Sequence, residues 1–144
     1  MTPGGYAGKW LDVDLTREKM TDTTFPAETL EQYFGGRGMA AKILWGRIGK
    51  KWSKLDALSP ENPLIFATGP MTGIYPGARI CVSGKSPENN GVIGSTAATE
   101  LAVELRGAGY DGVILTGRAD KPVYLQVTDY GAELKDAGHL WGLD

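Results

Sequence analysis

The sequence has a single cysteine and a single histidine in 144 residues. Cys81 therefore cannot form an internal disulfide, and one histidine with one thiol gives no local cluster to hold zinc or an iron–sulfur centre. Long apolar runs are missing as well. No stretch approaches the roughly 20 residues a membrane-spanning helix needs, and the opening MTPGGYAGKW lacks the basic-then-apolar order of a secretory signal. A cytoplasmic protein without a membrane role is the expectation. Neither sign of charge dominates: fifteen Lys and Arg stand against seventeen Asp and Glu, a net charge of −2. No run of like charge is long enough to suggest a polyanion footprint, so nucleic acid is not an expected partner. There is no repeat at a fixed period.

What is present is an ordinary globular mixture, 42% hydrophobic and 22% charged, enough for one domain with a core. The 21 glycines, about twice the usual ~7%, are scattered and imply tight turns or close backbone approach. KWLDVDLT (9–16) alternates Leu11, Val13 and Leu15 with polar residues and reads as a half-buried strand, turning into a second extended piece near KMTDTTF. A short helix over 26–34 follows, with Pro26 in its first turn. GGRG (35–38) is expected to break it before a second helix, in which Met39, Ile43, Leu44 and Ile48 share a face. PLIFATG (63–69) and ARICVSGK (78–85) read as strands, SPENNG as a turn, and TAATELAVELRGAG (96–109) as a helix with Ala98, Leu101 and Leu105 inward. Three strands close the sequence, the last two joined at Asp129–Gly131. Strands grouped between helices without strict alternation argue for an α+β fold. GHLWGLD leaves an apolar Leu140–Trp141 pair with no closing element, so 1–144 reads as a single domain incomplete at its C-terminal end.

Few motifs carry chemistry. GGRGMAA matches G-x-G-x-x-A through Gly36, Gly38 and Ala41, with Asp56 about twenty residues on. A dinucleotide fold needs a strand before those glycines, and a helix precedes them here. A helix–helix turn is the first reading and a phosphate-contacting turn the second. Arg79 sits between the irregular GPMTGIYPGA and an apolar strand, where it is either a surface ion-pair partner or a fork of donors for a phosphate. Lys85 resembles a solvated loop cation, His139 a packing or capping residue, and Cys81 a small buried apolar side chain. Trp10, Trp45, Trp52 and Trp141 read as core and interface bulk, without basic residues interleaved. Neither a Ser–His–Asp order nor a carboxylate pair stands out, and the residues alone leave function open.

Longer strings narrow it. FGGRGMAAKILW, LSPENPLIFATGPMTG, KSP, ELRGAGYDGVILTGRADKPVYLQV and DAGHLWG, in that order, resemble the N-terminal domain of the aldehyde ferredoxin oxidoreductase family of tungsten–pterin enzymes, from about Tyr6 to Gly142. The resemblance implies an α+β fold of two mixed β-sheets with a few short helices, serving as the base for a tungsten (or molybdenum) bis-pyranopterin with magnesium at its phosphates. It implies cofactor contacts from Arg79 with Gly77 and Ala78, from Thr96, Ala97 and Ala98, and from Gly36, Arg37 and Gly38. Where the family usually carries Asn-Ser-Gly-Gly, this sequence has Thr96-Ala97-Ala98-Thr99. The implied reaction is aldehyde to carboxylate with electrons passed to ferredoxin. The cysteines for the family's [4Fe–4S] cluster are absent, so downstream domains or a partner subunit would have to complete the enzyme. The alternative is a stand-alone binding or assembly module without redox chemistry. Either way the apolar Trp-bearing helix and HLWG lead us to expect a homo-oligomer.

Overall fold

The computed structural model describes residues 2–75 and 78–143. Eight strands and three short helices follow in the order β1 (Trp10–Asp14), β2 (Lys19–Thr23), α1 (Ala27–Tyr33), α2 (Gly36–Ile48), β3 (Leu64–Ala67), β4 (Arg79–Lys85), β5 (Val92–Ala98), α3 (Leu101–Gly107), β6 (Gly112–Thr116), β7 (Val123–Thr128) and β8 (Gly131–Asp136). Six strands form one sheet in the order β2-β1-β6-β3-β4-β5, mixed because β1 and β6 run parallel while the other neighbours are antiparallel. The second sheet is the antiparallel pair β7–β8, closed by the tight turn between Thr128 and Gly131. The architecture is α+β, as the sequence indicates.

Alternation along the strands explains the layering. Trp10, Ile65, Ala67 and Ile114 point to one face of the large sheet and pack with Leu30 of α1 and with Met39, Ala40, Ile43, Leu44 and Ile48 of α2. The next residues in register, Leu11, Val13, Val113 and Ile80, point to the other face and pack with Ala102 and Leu105 of α3 and Tyr110, with Leu125, Val127, Ala132 and Leu134 of the hairpin against them. Two cores thus clamp the middle of the sheet. Each large apolar side chain so removed from water contributes about 1.5–3 kcal/mol before the entropy of ordering the chain is set against it.

Two elements depart from the sequence reading. GGRG does not break the helices throughout: Phe34 ends α1 in the left-handed region (φ 53°), Gly35 (φ 71°) makes the corner, and Gly36 to Gly38 already form the first turn of α2. The expected helix over 96–109 begins only at Leu101. Thr96 to Ala98 belong to β5, where pairing with β4 overrides the helix preference of Ala and Glu. Ala102 and Leu105 face the core there, whereas Ala98 and Leu101 are exposed.

The segment between α2 and β3 is ordered by one lysine. Lys85 is 2% exposed, and its Nζ donates to the carbonyl oxygens of Trp52 (2.7 Å) and Leu55. Asn62 adds to the tie, accepting from the Lys85 N–H through Oδ1 and donating to the Lys85 carbonyl, both at 3.0 Å. Lys85 is thus a buried clip and not the solvated loop cation its SGKSP setting suggests. At the opposite end of the sheet, Asp111 (1% exposed) accepts from the N–H groups of Ala7 (2.9 Å) and Gly8 (2.6 Å) and pairs with Arg106, which also donates to the Gly5 carbonyl at 2.5 Å. Burial pushes Arg106 below its ordinary value and raises the Tyr6 hydroxyl, which donates to Leu30 O at 3.0 Å.

Candidate functional site

The residues singled out in the sequence lie along the β5 edge of the large sheet. Arg79 opens β4 opposite Ala98, Ile80 faces Ala97 and Cys81 faces Thr96 in the antiparallel register. β5 has no strand on its outer side, and its residues are exposed on both faces except for the half-buried Gly94. Its outward backbone N–H and C=O groups therefore have no strand to pair with. Arg79 is itself exposed, and among the described residues it takes part in no hydrogen bond or ion pair. Ala78 is half-buried, packing on the second core, and Gly77 lies outside the described residues.

Of Gly36, Arg37 and Gly38, Arg37 reaches the same strand. The Gly36 N–H donates to Thr68 O at 2.8 Å, and a Cβ on Gly35 would stand 2.7 Å from that same oxygen, so only glycine turns the corner here. The Arg37 guanidinium crosses to donate to Gly94 O at 2.6 Å, and its Cγ and Cδ lie 3.0 Å from where a Gly94 Cβ would be. That contact falls four residues from Ala98, about 13 Å along the strand from Arg79. The two groups of candidate residues thus share one edge without touching each other. The start of α2 has neither a side-chain cap nor an acidic residue in its first turn, which leaves the positive end of the helix without a counter-charge.

Beside this edge is an apolar rim. Phe34 is 70% exposed next to Gly35, and Met71, Ile74 and Tyr75 are exposed on the loop leaving β3. The donor set is uniform: a guanidinium without a partner, a second one partly engaged, and open backbone amides. Such a set suits the phosphate end of an anionic ligand. It does not suit a bare metal ion, since among the described residues no group of three or more His, Cys, Asp or Glu could hold one. A pterin cofactor bearing phosphates fits these residues in charge and in the apolar rim.

The other candidates fall away from the site. Cys81 is buried with its Sγ 3.4 Å from the Ser83 hydroxyl, as a small core residue should be. His139 is exposed in the turns after β8 and, among the described residues, makes no side-chain hydrogen bond. Asp56 is also exposed, accepting from the Leu58 N–H at 2.9 Å, and the element before the GGRG turn is α1. The dinucleotide-fingerprint reading of GGRG is thereby excluded. Trp10 is core, but Trp45 and Trp141 are 68% and 76% exposed. Trp45 does stand among lysines, contrary to the reading that no basic residues accompany the tryptophans. The signal was available: no acidic residue occurs between Glu31 and Asp56, against six Lys and Arg.

Comparison with known proteins shows the family and the fold. The family profile described as the aldehyde ferredoxin oxidoreductase N-terminal domain matches residues 10–144. A Pyrococcus furiosus protein named as the WOR-like subunit of an aliphatic sulfonate oxidoreductase is 49% identical over 138 residues, 96% of this chain and 22% of its own length. The tungsten-containing aldehyde ferredoxin oxidoreductase of Pyrococcus abyssi is 39% identical over 140 residues, 96% of this chain and 23% of its own. Among solved structures, the active-site complex BamBC of benzoyl coenzyme A reductase, in complex with 1,5-dienoyl-CoA, superposes with a TM-score of 0.88 at 37% identity, covering 96% of this chain and 21% of that one. The chain thus spans about a fifth of the length of the relatives it matches.

Proposed function

This chain belongs to the aldehyde ferredoxin oxidoreductase family, through its N-terminal domain, and from that premise we propose that it is the base on which a tungsten, or molybdenum, bis-pterin cofactor is held in a larger oxidoreductase. The observation that carries the reading is Arg79, a cation without a partner among the described residues, set opposite Ala98 at the open edge of β5. Arg79 would pair with cofactor phosphate, the backbone of Thr96, Ala97 and Ala98 would donate to its polar rim, and Gly36, Arg37 and Gly38 would bring the positive end of α2 toward it. When bound, the cofactor supplies the two-electron redox centre. The protein contributes binding, orientation and fixed charge. Phe34, Met71, Ile74 and Tyr75 would exclude water from one side of the site.

The reaction we assign is oxidation of an aldehyde to its carboxylate with electrons leaving to ferredoxin, carried out together with the further domains or partner subunit that hold an iron–sulfur cluster. Names among the relatives favour such an assembly, since one is a subunit and another is part of a complex. One feature favours a binding module without redox chemistry instead: Ala98 and Thr99 carry side chains where the family has glycines.

The test is metal analysis for tungsten, molybdenum and iron, with released-pterin fluorescence, on the chain purified anaerobically from tungstate-supplied cells, alone and with its partner. Stoichiometric metal and pterin are expected in the assembled protein. Replacing Arg79 by Ala should lower pterin retention by the equivalent of about 1.5–3 kcal/mol, the worth of one charge-assisted hydrogen bond. Metal-free, pterin-free protein in both preparations would leave the binding module as the reading.

A further inference from the structure

The loop that leaves β3, residues 68–75, reverses the usual polarity of a surface loop. Its two hydroxyl-bearing threonines are buried, Thr68 at 2% and Thr72 at 8% exposure, while Met71, Ile74 and Tyr75 are exposed. Burying a hydroxyl costs free energy unless it is hydrogen-bonded, and showing large apolar side chains to water gains none. The pattern fits a loop whose backbone is pinned from inside and whose apolar side chains meet something outside.

Both hydroxyls act on the backbone. Thr68 donates through its N–H (2.9 Å) and its Oγ1 (2.8 Å) to the Asp111 carbonyl just before β6, while its own carbonyl accepts from the Gly36 N–H in the first turn of α2. One residue thus ties the sheet to the GGRG turn. Thr72 closes the loop on itself: its Oγ1 accepts from the Gly69 N–H at 3.2 Å, and its N–H donates to Gly69 O at 3.0 Å. The Ile74 and Tyr75 N–H groups both donate to Met71 O at 3.1 Å, so the three apolar residues share one frame. Two glycines press on that frame. A Cβ on Gly5 would stand 2.5 Å from Pro70 O, and one on Gly35 would stand 2.9 Å from the Gly69 Cα. Only residues without a side chain let the N-terminal segment and the α1–α2 corner come so close.

We propose, resting on the reading above, that Thr68 and Thr72 are positioning residues for the cofactor site: their hydroxyls hold the apolar rim and the first turn of α2 in the arrangement that receives a phosphate-bearing pterin. Neither hydroxyl serves as a ligand contact, since each is buried and already bonded to main chain. Their effect is carried by the backbone, from Thr72 to Met71, Ile74 and Tyr75, and from Thr68 to Gly36. A site built this way loses affinity through a small misplacement as readily as through a lost contact.

Thr72→Val and Thr68→Val keep the shape of the side chain without its hydroxyl, and Thr72→Ser and Thr68→Ser keep the hydroxyl without the methyl. On the full chain, without metal or pterin, amide hydrogen exchange should run about tenfold faster at Gly69 in Thr72→Val and at Gly36 in Thr68→Val. The amides of β1 and β6 should exchange as in the parent, and the serine variants should match the parent throughout. In the assembled protein from tungstate-supplied cells, pterin retention, read by released-pterin fluorescence, should fall about tenfold in the valine variants and be kept by the serine ones. Packing alone predicts the opposite order, since serine leaves a small cavity and valine does not. Parent-like exchange at Gly69 and Gly36 would overturn this inference. So would parent-like pterin retention by both valine variants, or equal losses in the serine and valine variants, and each of these leaves the cofactor reading intact. A parent assembly without pterin would overturn the cofactor reading and this inference with it. The two positions are tested separately, so a variant that fails to fold at one leaves the other to decide.

Discussion

The two ends of the β1-β6-β3-β4-β5 series differ in almost every physical respect. At β1 and β6 the strands are covered on both faces, and Trp10, Val13 and Ile114 are at most 1% exposed. At β5 neither face is covered, and the strand reads Val-Ile-Gly-Ser-Thr-Ala-Ala, small and polar toward its C-terminal end. The first end is held in place by burial. The second is held by its backbone ladder to β4 and is free to meet something else. Stability and the candidate site occupy opposite halves of one sheet, so substitutions should sort by half.

The largest effect should come from Asp111→Ala, which strands the Arg106 guanidinium and two backbone N–H groups in a buried place. A loss of about 3–5 kcal/mol is expected, read as a lower midpoint in urea. If the midpoint moved by less than the error, the clamp on residues 5–8 would not support that end of the sheet. Next is Ile65→Ala, on the face packed by α2, with an expected loss of about 2–5 kcal/mol from transfer and cavity terms.

Tyr6 gives a smaller, pH-dependent effect. Its folded-state value is raised above the usual 10 mainly by burial, so the stability it contributes is fully present below about pH 10. That contribution is lost as pH rises from there through the folded value. Tyr6→Phe should cost about 1 kcal/mol near neutrality through the lost bond to Leu30 O and should flatten the alkaline fall in thermal stability. An unchanged alkaline fall would move its origin to another group. Smallest of all, Ala98→Ser in β5 should shift stability by less than about 0.5 kcal/mol. A large shift there would erase the contrast between the two ends, since β5 would then be part of the core.

The same contrast explains what could be read in the sequence. Leu11, Val13 and Leu15 alternate because one face of β1 must avoid water, and the β1–β2 hairpin follows from that alternation. Met39, Ile43, Leu44 and Ile48 revealed the buried face of α2 for the same reason. β5 gave no such pattern, because a strand with no buried face imposes none, and Thr-Ala-Ala-Thr-Glu then reads as helix. Lys85 escaped notice because its partners are main-chain carbonyls of Trp52 and Leu55, thirty or more residues distant, which no local spacing encodes. The candidate roles of Arg79 and of the GGRG turn came from resemblance to a family, since an arginine beside a glycine-rich loop has no pattern of its own.

The pairing of β1 with β6 joins Trp10 to Gly112 and Asp14 to Thr116, while the Asp111 carboxylate grips Ala7 and Gly8. On the ribosome, the first strand therefore emerges long before its neighbour in the sheet exists, and it must wait through about a hundred residues of synthesis. At ~5–20 residues per second that is a delay of roughly 5–20 s. During that time β1 has the β2 hairpin and, through Trp10, the packing of α1 and α2 for shelter. Such long-range, parallel closure also predicts slow refolding, in the range of milliseconds to seconds, with the N-terminal strand joining last.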